Sequence, residues 1–130
     1  EYTEGIAFSE GISATNEPAV LVRDATGQLT AWIEVGAPDA ERLHYGSKLA
    51  GRVAVYTHRD PAPVLPQYAG KKIHGVERIV LTSFGPGFVD DVAASLQRRN
   101  TMTLSVTEGQ VYLDLNGTSL SSALHETPIV

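Results

Sequence analysis

The sequence predicts an α/β or α+β fold that closes with C-terminal antiparallel strands, and three observations support this prediction. Residues 19–35 read as a β-hairpin. Residues 29–57 read as a strand, a helix and a second strand, which is the order of a crossover unit. After residue 101 come three short strand-like segments separated by Glu-Gly and Asn-Gly pairs, the pattern of an antiparallel meander.

Composition narrows the class of protein. The 130 residues are 42% hydrophobic, which predicts one domain over residues 1–130 with its own core. A net charge of -5 argues against a generally basic nucleic-acid binder, although it is compatible with a local basic patch. The chain has no cysteine, which excludes disulfides, thiol nucleophiles and Cys-ligated zinc. Because no apolar run approaches the roughly 18 residues of a membrane span, we expect a soluble, cytoplasmic protein without a membrane partner.

The hairpin and the crossover helix have clear boundaries. Strands AVLVRD (19–24) and LTAWIEV (29–35) flank a turn that is either a two-residue Thr26-Gly27 turn or a type I turn with a bulge at Gly27. Pro38 and Asp39 open the helix, and Gly51 ends it. The helix then leads into RVAVYT (52–57), a run typical of a strand buried on both faces. Its core-facing stripe is Ala40, Leu43, Ser47 and Ala50.

The C-terminal half contains one more strand and helix before the meander. Residues 59–75 hold three prolines and two glycines, which predicts a loop with at most one helical turn. RIVLTSF (78–84) is a buried-strand candidate. The following helix should start near Phe88, with Asp90 and Asp91 in its first turn and Arg98 and Arg99 in its last. Asn116-Gly117-Thr118 matches a glycosylation sequon, but Asn-Gly reads better as the second meander turn.

Glu34 is the one carboxylate in an otherwise apolar strand. With the two-residue turn, Ala19 lies opposite Glu34 and Glu17 is its diagonal neighbour on the same face. Two carboxylates so placed can hold a divalent cation through their oxygens, whereas a one-residue slip in register moves Glu17 to the other face. Alternation puts Glu34 with Thr30 and Trp32, and opposite to Leu29, Ala31, Ile33 and Val35.

The next helix offers a cation for the same region. Glu41, His44, Tyr45 and Lys48 fall on the side away from the core stripe, so Lys48 is available to an anionic substrate or to water. Spacing alone favours the simpler interpretation, in which Glu34 and Lys48 are a surface ion pair or solvated side chains.

Two other motifs lack the residues that their chemistry requires. The four histidines show no spacing typical of a metal site. Gly70-Lys71-Lys72 is no nucleotide-binding loop, because position 65 is leucine rather than glycine and no Ser or Thr follows the lysines.

The same residues resemble the YaeQ family of bacterial proteins over almost the whole chain. The run Trp32-Ile33-Glu34-Val35-Gly36 and the dipeptide Glu17-Pro18 carry the resemblance. The remaining matches, in the same order, are Asp24, Gly27, Pro38-Asp39, Arg42-Leu43, residues 52–57 and residues 101–104.

The resemblance implies a variant of the restriction-endonuclease-like, PD-(D/E)XK nuclease core, in which helices flank a mixed sheet. It also implies that N-terminal strands and a helix precede Glu1. In active members of that superfamily, two acids hold Mg²⁺ and a lysine two residues after the second acid positions or activates the attacking water, while the metal stabilises charge on the phosphate.

When the three superfamily positions are transferred to this chain, only one of them holds the expected type of residue. Glu34 matches the second acid. The first acid is replaced by Ala19, so that only Glu17 can substitute, and the lysine position is Gly36. Relatives usually carry a lysine early in the next helix, where this chain has Tyr45, and the nearest replacement is Lys48.

Three hypotheses follow. The first is a divergent metal-dependent phosphodiesterase acting on nucleic acid, with Glu17 and Glu34 binding Mg²⁺ or Mn²⁺ and Lys48 stabilising phosphate charge. The second is a non-catalytic binding or regulatory module on a degenerate nuclease fold. The third is a structural or interaction domain whose exposed meander edge pairs with a partner strand.

Overall fold

A computed structural model of the 130-residue chain describes residues 3–8, 18–58 and 60–129. Among these residues, strands β3 and β4 pair in parallel and the hairpin and meander strands pair antiparallel, so the sheet is mixed and the predicted α+β class is confirmed. Two short 3₁₀ helices, Leu65–Tyr68 and Val76–Arg78, interrupt the loop after β4. The other elements are β1 (Ile6–Phe8), β2 (Val20–Arg23), β3 (Leu29–Val35), α1 (Ala40–Leu49), β4 (Arg52–Thr57), β5 (Val80–Phe84), α2 (Phe88–Ser95), β6 (Met102–Thr107), β7 (Gln110–Leu115) and β8 (Thr118–Pro128).

The chain forms two compact units. The first comprises Glu1–Thr82 with Thr127–Val130, and its strands follow the order β1-β2-β3-β4-β5. The second comprises Ser83–Glu126, and its meander follows the order β8-β7-β6. Strands β5 and β8 contribute residues to both units, and the assignment of residues 1–130 to a single domain stays a prediction.

The hairpin has the bulged turn, and a second irregularity then shifts the strand register by one residue. Gly27 has a φ of 87°, and its N–H donates to the carbonyl of Asp24 at 3.0 Å, as in a type I turn followed by a bulge. A second irregularity, between the Val22 and Arg23 pairs, then brings Val20 opposite Ile33. Continuing that register places Ala19 opposite Glu34, which is the pairing that the shorter turn predicts.

The core lies on both faces of β3. Trp32 packs with Leu43 of α1 and with Val53 and Val55 of β4, while Ala31 and Ile33 belong to a separate cluster on the other face, as the alternation predicts. Leu29 is the exception, because it packs against the Trp32 cluster. The predicted face for Leu29 is therefore wrong, and the extra residue between the Leu29 and Ala31 pairs is the physical reason.

Helix α1 begins and ends as predicted. The Asp39 carboxylate caps it by accepting from the N–H of Arg42 at 2.8 Å, and Ala50 is its C-cap. Of the predicted core stripe, Leu43, Ser47 and Ala50 are buried and Ala40 is half-buried.

Helix α2 ends earlier than predicted, at Ser95, so Arg98 and Arg99 lie beyond it. The Asn100 side chain explains the difference, because it accepts from the N–H of Gln97 at 2.7 Å and donates to the Gln97 carbonyl at 2.9 Å. These bonds hold a local turn in competition with the helix. No helix in the described ranges is both long and apolar enough to span a membrane.

The meander forms as predicted. Both turn pairs are left-handed, with φ values of 50° and 76° at Glu108-Gly109 and of 53° and 86° at Asn116-Gly117. Two consecutive positive φ values are typical of the two-residue hairpin turns that match strand twist. Asn116-Gly117 is therefore a turn in the structure.

Candidate functional site

Glu34 is a buried carboxylate near the end of β3, with 4% of its surface exposed. It lies opposite Val55 of the parallel strand β4 and, by alternation, on the same face of β3 as Trp32. A buried carboxylate requires compensation by a cation or by hydrogen bonds. The structure provides both through one residue of α1.

Arg42 binds both oxygens of Glu34. Its Nε donates to Oε2 at 2.7 Å and its Nη2 donates to Oε1 at 3.0 Å, which is the two-pronged geometry of a strong arginine–carboxylate pair. Arg42 occupies the first turn of α1, where Asp39 accepts from its backbone N–H. The crossover therefore aims the guanidinium back at the end of the strand that precedes the helix.

The guanidinium of Arg42 is charged over the whole physiological pH range. The hydrogen bond with Glu34 raises the pKa of Arg42 above its ordinary value, and the charges of Glu34 and Asp39 add to that effect against the opposing effect of burial. One third of the Arg42 side chain is exposed (33%), compared with 5% for Glu34. The pair therefore presents a cation, and not a carboxylate, to solvent.

Tyr68 secures the segment that enters α1. Its hydroxyl donates to the carbonyl of Pro38 at 2.7 Å, and burial raises the pKa of Tyr68 above its ordinary value of 10.0. Gln67 contributes a longer bond to the same carbonyl, at 3.4 Å. Gln67 also lines an adjacent cavity of 220 Å³ together with Ala37, Asp60, Pro63 and Val64.

The predicted site residues are only partly brought together. Lys48 is exposed in the last turn of α1, six residues after Arg42, which in a helix is about 9 Å further along and about 120° around the axis. Glu17 lies outside the described residues, so the predicted Glu17–Glu34 metal pair stays a prediction. Within the described ranges, no three Asp, Glu or His side chains are grouped so that they could hold a metal ion.

Sequence reasoning missed the role of Arg42. The alternative of a surface ion pair is wrong for Glu34, since the carboxylate is buried and its partner is Arg42. A signal was nevertheless present in the chain. A lone acid in a buried strand needs a cation within reach, and Arg42 lies in the first turn of the following helix, next to the core residue Leu43.

A family model described as YaeQ protein matches residues 1–124. The chain belongs to the YaeQ family. Two relatives are called "Uncharacterized protein YaeQ". The Escherichia coli (strain K12) protein is 24% identical over 115 residues, covering 85% of this chain and 61% of the relative, and the Salmonella typhi protein is 23% identical over 111 residues. This chain thus spans less than two thirds of the length of the relatives that it matches.

Solved YaeQ structures share the fold. The crystal structure of YaeQ protein from Pseudomonas syringae matches with a TM-score of 0.78 at 23% identity, covering 96% of this chain and 69% of that one. The YaeQ protein from Xanthomonas axonopodis pv. citri matches with a TM-score of 0.74 at 18% identity, covering 95% and 71% of the two chains. At these identities the similarity shows the YaeQ fold and carries no residue roles.

Proposed function

We propose that this YaeQ-family chain is a non-catalytic nucleic-acid-binding module on a nuclease-like fold, in which Glu34 has a structural role. The observation that carries the proposal is the bidentate bond from Arg42 to Glu34. It occupies both oxygens of the acid that, by the family resemblance, would bind the catalytic metal.

The energetics support a structural role. A metal ion that bound both oxygens of Glu34 would replace the hydrogen bonds from Arg42 and would bring a second positive charge next to the guanidinium. The neighbouring positions offer little to offset these effects. Ala19, the residue opposite Glu34 in the continued register, has no ligand atom in its side chain, and Gly36 stands where the resemblance expects a lysine.

A divergent metal-dependent phosphodiesterase is the second candidate. It would use Glu34 with Glu17 to bind Mg²⁺ or Mn²⁺, and Lys48 to stabilise phosphate charge. The exposure of one third of the Arg42 side chain favours it, because a partly solvated guanidinium can swing away from the carboxylate.

Calorimetric titration with Mn²⁺ tests the choice between these candidates. Wild-type protein and Glu34→Gln should show the same weak, nonspecific heats. Glu41→Gln is the matched control, because it removes one acid from the exposed side of α1. A site of micromolar affinity that disappears in Glu34→Gln and persists in Glu41→Gln would overturn the proposal in favour of the phosphodiesterase.

A cleavage assay complements the titration. Single-stranded, duplex and branched nucleic acids are incubated with the protein and Mg²⁺ or Mn²⁺, and we expect no product above that of the Glu34→Ala variant. Products formed equally by both proteins would reveal a contaminant, whereas products that require Glu34 would refute a non-catalytic role.

A further inference from the structure

We infer that the outer side of α1 and the segment 71–78 form the nucleic-acid contact surface, with Lys48, Lys71, Lys72 and Arg78 as its phosphate-binding cations. This inference deepens the proposed function and rests on it. All of its residues belong to the first compact unit.

Two hydrogen bonds hold the segment 71–78 along α1. The N–H of His74 donates to Nδ1 of His44 at 2.9 Å, and Nη1 of Arg78 donates to the carbonyl of Gly51 at 2.8 Å. His44 lies in the middle of α1, whereas Gly51 follows the C-cap residue Ala50. Lys48 lies between these two anchor points, on the same side of the helix as His44.

The three lysines of this surface are available to a ligand, whereas Arg78 already donates to the carbonyl of Gly51. Lys48, Lys71 and Lys72 are exposed, and within the described parts of the chain their side chains form no ion pair or hydrogen bond. Lys71 and Lys72 lie three and two residues before His74, respectively, so both start close to the first anchor. The nearby acids are Glu41 and Glu77, both exposed, so the four cations outnumber them two to one in a chain of net charge -5.

His44 adds a hydrogen-bond donor at the same place. Because its Nδ1 accepts the bond from the N–H of His74, the other ring nitrogen, Nε2, carries the proton. The His44 ring is half-buried and lies on the same side of the helix as Lys48. A phosphate oxygen can accept from it alongside the lysines.

The distribution of the cations favours a polynucleotide over a single phosphate. Lys48 belongs to the last turn of α1, whereas Lys71 and Lys72 belong to the separate segment 71–78. Tyr45 adds a stacking surface beside the cations. Its ring is held edge-on against Trp32 at 5.6 Å and is 43% exposed, and exposed aromatic rings favour the unpaired bases of a single strand.

Fluorescence anisotropy of a labelled single-stranded oligonucleotide, measured over a series of salt concentrations, tests the inference. We expect Lys71→Ala/Lys72→Ala to bind about tenfold more weakly, and the slope of log affinity against log salt to become shallower by about 1.4, since each phosphate contact in a single strand contributes about 0.7. Arg98→Ala/Arg99→Ala is the matched control. It removes the same two charges from exposed positions of the second unit and should bind within about twofold of wild type.

A substitution of Tyr45 separates stacking from charge. Tyr45→Leu keeps an apolar contact for Trp32, and it should weaken binding of the single strand while leaving the salt slope unchanged, because stacking releases no counterions. A salt slope that falls as much as in the lysine variant would overturn the assignment of Tyr45.

The failures of the inference and of the proposed function are distinguishable. If the two double variants lose affinity to the same extent, or if neither loses affinity relative to wild type, this surface is overturned. A nucleic-acid-binding module would still stand. If the wild-type protein binds neither single-stranded nor duplex nucleic acid, both the surface and the proposed function are overturned. The same holds if lysine-dependent binding is found only with phosphatidylserine vesicles.

Displacement of the oligonucleotide by low millimolar inorganic phosphate would indicate a single-phosphate site and refute the assignment of a polynucleotide as the ligand. A Glu34-dependent Mn²⁺ site with cleavage would refute the non-catalytic role while the lysine dependence stands.

Discussion

Gly46 of α1 lies directly over the ring of Trp32. A Cβ atom built on Gly46 would approach the Trp32 ring to 2.5 Å, far inside van der Waals contact. This glycine is buried in the middle of a helix, where glycine is otherwise unfavourable. Close packing of the helix on β3 therefore requires it, and the same approach brings the first turn of α1 near Glu34.

Gly46→Ala should destabilise the fold. The added methyl overpacks the contact with Trp32, and overpacking typically costs about 1–3 kcal/mol, more than the gain in helix propensity. Urea unfolding measures the change. Gly51→Ala is the matched control, because its Cβ would meet no atom closer than 4.0 Å. Equal stabilities of the two variants would show that α1 can move away from the strand.

Strands β6 and β7 show how neighbours decide burial. Cross-strand register pairs Met102 with Leu115 and Leu104 with Leu113, so these side chains share a face. Leu104 is nevertheless 61% exposed, while Leu113 is 8% exposed. The difference arises because β7 is flanked by β6 and β8, whereas among the described strands β6 has a neighbour on one side only. A partner strand at this edge stays a hypothesis.

The two leucines should respond differently to truncation. Leu113→Ala removes a buried side chain and should lower the free energy of unfolding by about 2–5 kcal/mol. Leu104→Ala removes a mostly exposed side chain and should change it by less than about 1 kcal/mol. Chemical denaturation at low protein concentration measures both. A large loss in Leu104→Ala would mean that this side chain is covered in solution.

At the scale of the whole molecule, two strands connect the compact units. Both β5 and β8 have residues in each unit, so the chain passes from one unit to the other within a strand. Loss of either strand would therefore affect residues of both units, which favours cooperative unfolding. The single domain over residues 1–130 stays a prediction, which an unfolding experiment can test.

Unfolding should therefore occur in one transition. Trp32, the sole tryptophan, reports on the first unit, and far-ultraviolet circular dichroism reports on both. We expect the two signals to have the same midpoint in urea. We also expect Leu115→Ala, a fully buried position in the second unit, to lower both midpoints together. If Leu115→Ala left the midpoint of the Trp32 transition unchanged, the two units would be independently stable domains.

Sequence by itself determined the features that depend on neighbouring residues. The Asp39 cap, the left-handed Asn116-Gly117 turn and the buried strand 52–57 follow from local backbone preferences and hydrophobic patterning, and the family follows from the order of its motifs. Only the tertiary structure decided the state of Glu34. Its partner Arg42 is separated from it by a strand end, a loop and a helix start, so the ion pair depends on how closely α1 packs on β3. The bulge that moved Leu29 and the turn that shortened α2 are local features, but hydrophobic patterning does not predict them because each interrupts the regular element that the pattern implies.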